Sequence, residues 1–138
     1  MHISALVADL QKVLLMLRAE HGDFRLAMLY NTDLGSETNW NVIVSSDWAD
    51  QLGIPQATRV IAREVYAGLS LENKGTLSRV TVLRTDDPFV EDMVNLYPEV
   101  GEMTGVPLRP VNAGGVTEGG AFIFYLRSRF KSEVASRE

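Results

Sequence analysis

The chain has 138 residues, 18 Asp plus Glu against 13 Lys plus Arg for a net charge of −5, two His and no Cys. That length fits one domain with a core large enough to fold unaided, and a hydrophobic fraction of 46% excludes general disorder and low complexity. Without Cys there are no disulfides, thiolate metal sites, iron–sulfur clusters or Cys nucleophile, and the acidic balance opposes broad nucleic-acid binding.

Residues 3–20 carry Ile3, Leu6, Val7, Leu10, Val13, Leu14 and Leu17 in the i, i+3, i+4 rhythm of a helix with one apolar face. Gly22 stands where a left-handed cap is wanted. Leu15 and Met16 widen the apolar stripe beyond one packing surface, which predicts a second surface, supplied most simply by another copy of the chain. Residues 24–31 and 39–45 read as two strands of a hairpin around the turn-rich segment 32–38. Ser46 and Asp47 suit the N-cap of a short turn closed by Gly53. Pro55 opens a helix with Ala57, Val60, Ile61, Val65 and Leu69 on its apolar face.

Asn73-Lys74-Gly75 reads as a turn, and Leu77 to Arg84 as an alternating strand with Leu77 and Arg79 on one side and Ser78, Val80 and Val82 on the other. Asp87 is placed as the N-cap of a helix from Pro88 that stops at Pro98. Residues 98–120 hold three of the five Pro and six of the eleven Gly. They read as a long loop or as a loop containing an edge strand within 106–111, where Pro is tolerated. Residues 121–126, apolar throughout, read as a strand covered on both sides. The expected fold is a single α+β domain over residues 1–130, ordered α-β-β-α-β-α-β. A mixed sheet of four to five strands carries the helices, and residues 131–138 form a solvated tail.

No apolar run is long enough to cross a membrane, and the start of the chain lacks the features of a secretion signal. The expectation is a soluble, cytoplasmic, acidic protein.

Four constellations bear on chemistry. Asp86-Asp87 follows a strand, where ligand crevices form and where paired carboxylates suit Mg²⁺, although an acid before Pro88 is also what a helix cap requires. Glycine pairs at Gly114-Gly115 and Gly119-Gly120 offer backbone N–H groups for an anion nest, yet neither fits a phosphate loop or a dinucleotide fingerprint. Trp40 and Trp48 bracket a strand and the turn after it, and could line a pocket. Gly35-Ser36 followed by the alternating positions Asn39 and Asn41 resembles the nucleotidyltransferase fold. In that family the alternating positions are acids that hold a metal, so the resemblance implies a related scaffold without the metal-binding carboxylate pair.

No catalytic constellation emerges, and no metal or cofactor is expected. The reading is a non-enzymatic module that self-associates or binds a protein partner, with Leu15 and Met16 at the contact. The alternative is a small-ligand or nucleotide-binding domain whose site gathers Trp40, Asp86, Asp87, Gly114 and Gly115.

Overall fold

The first helix, α1 (Ile3–His21), forms because its apolar residues recur on one side. Leu6, Leu10, Val13, Leu14 and Leu17 are all buried. It ends at Gly22, whose φ of 125° is a conformation only glycine adopts without strain. The computed structural model describes residues 3–31, 40–101, 106–108 and 120–127. The expected Gly35-Ser36 and Asn39 motif, the Gly114-Gly115 and Gly119 positions and the 131–138 tail lie outside the described residues.

Strands β1 (Leu26–Asn31) and β2 (Trp40–Ser45) pair antiparallel. After β2 come α2 (Asp47–Leu52), α3 (Ile54–Gly68) and the single-turn α4 (Leu71–Lys74). Ser46 caps α2, its side chain accepting from the Ala49 N–H at 3.1 Å. The expected turn at Asn73 is this short helix, because Ser70 caps it by accepting from the Asn73 N–H. The chain returns as β3 (Leu77–Leu83), parallel to β2, as a helical crossover requires. Then follow α5 (Pro88–Leu96), β4 (Val106–Leu108) and β5 (Gly120–Leu126). The five strands lie in the order β3-β2-β1-β5-β4, so this is the expected single-sheet α+β fold, and of the two readings of 98–120 the one with an edge strand within 106–111 holds, as β4.

Helices cover both faces. On the first face α1 and α3 pack over Ala27, Leu29, Trp40, Val42, Val44, Val82 and Phe124. On the second, α5 lays Val90 and Met93 over Leu26, Met28, Ile43, Ala121 and Ile123.

Two register shifts change which residues share a face. Between Ala27 and Met28 the partner on β5 jumps from Tyr125 to Ile123. The extra residue puts Phe124 and Tyr125 together on the first face and sends Leu126 to the second. A second shift at Trp40/Asn41, opposite Leu77 and Arg79, places Leu77 with Val80 and Val82. Simple alternation had grouped it with Arg79.

Polar ties hold α1 to its neighbours toward both ends. The Asp9 carboxylate accepts from the Ser70 N–H at 2.9 Å and from Asn73 Nδ2 at 2.8 Å. The backbone hydrogen bond from Ser70 leads the causes that hold Asp9 below the usual carboxylate range. At the other end of α1, Asp23 accepts from Arg18 and from Arg127, both at 2.6 Å. Burial opposes the charge on Asp23, but the two guanidinium groups outweigh it and lower its pKa.

Candidate functional site

Of the residues expected to gather a ligand, Trp40 does not lie beside Asp86 and Asp87. Trp40 pairs in register with Leu77 at the start of β3, whereas Asp86 and Asp87 follow the end of β3, beyond the pairing of Ser45 with Leu83. The separation along β2 alone is about 16 Å at roughly 3.3 Å per residue. Trp40 is buried in the core, its ring centroid 6.0 Å from that of Phe122. Asp87 is occupied as the N-cap of α5: its Oδ1 accepts from the Phe89 N–H at 2.8 Å. Asp86 is exposed and pairs with Arg84 at 3.1 Å. Trp48 stacks on His21 with centroids 4.6 Å apart, and its Nε1–H donates to the Gly22 carbonyl at 3.1 Å.

The polar cluster that does form at the carboxyl ends of β2 and β3 is built from residues the sequence did not single out. Buried Arg25 donates through Nη1 to the Thr85 carbonyl and pairs with Glu91 at 3.3 Å. The Thr85 hydroxyl donates to Asp50 Oδ2 at 2.6 Å, and the Thr85 N–H lies 3.3 Å from both carboxylate oxygens. One loop residue is thereby tied to the start of β1, to α2 and, through Arg25, to α5. Each carboxylate already meets a cation or a donor within the cluster. What this arrangement does chemically is to hold the β3–α5 turn against the sheet. The signal in the sequence was an arginine directly before an apolar strand, Phe24-Arg25-Leu26. A charge at such a place has to find partners when it is buried. Among the described residues, no group of three or more His, Asp or Glu is placed to hold a metal ion.

The second candidate is the outward side of α1. Ala5, Ala8, Lys12, Leu15, Met16, Ala19 and Glu20 are exposed, with Leu15 at 43% and Met16 at 38% of their full accessibility. Positions 5, 8, 12, 15 and 19 follow the i, i+3, i+4 spacing that places residues on one helical face. Lys12 is the only charge in that row. A surface helix normally turns charged residues outward, whereas this strip of α1, with Lys12 as its one charge, is mostly apolar beside the exposed Glu20 and His21. No described helix is long and apolar enough to cross a membrane. Comparison with protein-family models, with curated proteins and with solved structures finds no match to this chain.

Proposed function

We propose that this protein is a non-enzymatic module that works by self-association, with the outward face of α1 as the contact. The observation that carries the reading is the exposure of Leu15 and Met16 within a row otherwise made of Ala5, Ala8, Lys12 and Ala19. Small residues let a second helix approach closely, and burying the remaining exposed part of Leu15 and Met16, 43% and 38% of each, supplies about 0.5–1 kcal/mol apiece. A two-fold arrangement is favoured because one patch then serves both copies.

A ligand-binding reading has less support, since Trp40 is closed in the core and Asp87 is engaged as a cap. Light scattering at tens of micromolar, on the parent chain and on Leu15→Glu, tests the proposal. The expected result is a larger species in the parent than in Leu15→Glu, with the variant still folded and its far-ultraviolet spectrum unchanged. A monomeric parent sinks it. If Leu15→Glu unfolds the chain, Leu15 belongs to the core and the contact lies elsewhere.

A further inference from the structure

The sheet ends on one side at β3, and among the described residues no strand or helix pairs with its outer edge. The other end is β4, which has three residues with Pro107 at its centre. Proteins blunt open edges with short strands, Pro, Lys, inward charges or bulges, because unpaired N–H and C=O groups attract other strands. β4 uses two of these devices. β3 has its register shift near Ser78, at the start of the strand, and then runs in unbroken register with β2 from Arg79 to Leu83. That five-residue stretch, Arg79-Val80-Thr81-Val82-Leu83, contains no Pro and no Lys, and its single charge, Arg79, is exposed.

We infer that the outer edge of β3 pairs antiparallel with β3 of a second copy of this chain, about a two-fold axis through Thr81, making one continuous sheet across the dimer. The segment is self-complementary in that register. Thr81 meets Thr81 of the other copy, and Val80 meets Val82 twice, both favourable cross-strand combinations. Arg79 faces Leu83 and meets no like charge directly opposite. The flanks agree with this orientation. Exposed Glu72 and Lys74 precede the strand, while exposed Arg84 and Asp86 follow it. Antiparallel pairing brings the start of one copy to the end of the other, so each flank offers an acid and a base to a flank of the same mixed kind. The inference uses a different element from α1 and stands without the α1 contact.

The test exploits the axis. Thr81→Lys and Thr81→Glu each place two like charges directly opposite one another in this register, which opposes pairing. In an equimolar mixture the heterodimer instead sets a lysine against a glutamate. In a Leu15→Glu background, which removes the α1 contact, sedimentation is expected to show a dimer. Either Thr81 variant alone should weaken it by about tenfold or more, and mixing the two should restore it. A second readout on the unmodified chain is backbone hydrogen exchange at residues 79–83 as a function of protein concentration, with protection expected to rise as the dimer fills. The inference is overturned if the mixture associates no better than the separate variants, or if exchange in 79–83 is independent of concentration. A Leu15→Glu chain that is monomeric, with no concentration-dependent exchange in β3, overturns the edge and leaves the α1 reading standing. Loss of association on Thr81→Lys with none on Leu15→Glu does the reverse.

Discussion

The two faces of the sheet are closed differently. The first is covered by α1, with 19 residues, and α3, with 15, and its centre is apolar throughout. The second is covered by α5, with nine residues. Among the described residues three buried side-chain polar atoms lack a hydrogen-bond partner; two of them, Asn41 Oδ1 and Ser45 Oγ, belong to β2 residues in register with Arg79 and Leu83 and alternate with the first-face residues Val42 and Val44. The third, Arg25 Nε, belongs to the side chain that reaches Glu91 of α5. Coverage explains the contrast. At the centre of the first face, between two long helices, a polar group would bear the full cost of desolvation; the buried polar residue that shares this face by alternation, Asn31, stands at the very end of β1. On the second face the buried Arg25 offsets its desolvation through its ties to the Thr85 carbonyl and to Glu91, which help hold α5 in place.

The comparison is broken most directly at Phe124, which is fully buried on the first face. Phe124→Ala is expected to cost about 3–5 kcal/mol, the usual loss when a buried aromatic is truncated. Urea unfolding measures it. A loss below about 1 kcal/mol would mean that the first face is not the tightly sealed one.

A smaller effect is expected at Asp87, which anchors the start of the helix covering the second face. Its carboxylate accepts from the Phe89 N–H and lies at the positive end of the α5 dipole. Asp87→Ala should cost about 0.5–2 kcal/mol, and Asp87→Asn less, because Asn caps nearly as well. Thermal unfolding of both variants with and without Mg²⁺ checks this. Equal stability of the two variants, together with a metal response lost from both, would replace the cap by a metal role.

Much of this contrast was legible in the residues. The period of α1, the cap at Ser46, the cap at Asp87 before Pro88 and the strand within 106–111 are all local signals, and each lies where its chemistry placed it. The faces of β3 and β5 were not legible, because one inserted residue reverses the alternation of everything after it. Phe124-Tyr125 and Leu77-Ser78 look like ordinary alternating strand until their partners are known. The Arg25–Thr85–Glu91 cluster was hidden for a related reason. Its members are 60 and 66 residues apart in the chain, and only the β2–β3 crossover brings them together. Trp40 is apart from Asp86 and Asp87 on the same ground, since a parallel pair sends the start of β2 and the end of β3 to opposite ends of the sheet.

The smallest effect, and the one that most sharpens the contrast, is at two adjacent serines. Ser45 and Ser46 are both buried, and only one is occupied. Ser46 Oγ accepts from the Ala49 N–H at the start of α2, whereas Ser45 Oγ has no hydrogen-bond partner among the described residues. Ser46→Ala removes a working cap and should cost about 0.5–2 kcal/mol. Ser45→Ala removes a hydroxyl that bears desolvation without compensation, and leaves a methyl group of nearly the same size. An unsatisfied buried polar group costs about 1–3 kcal/mol, part of which is offset by the lost packing of the oxygen, so the variant should be as stable as the parent or more stable by about 1 kcal/mol. Urea unfolding of the two variants side by side decides it. Should Ser45→Ala lose as much as Ser46→Ala, the Ser45 hydroxyl holds a partner of its own, and the second face is as fully satisfied as the first.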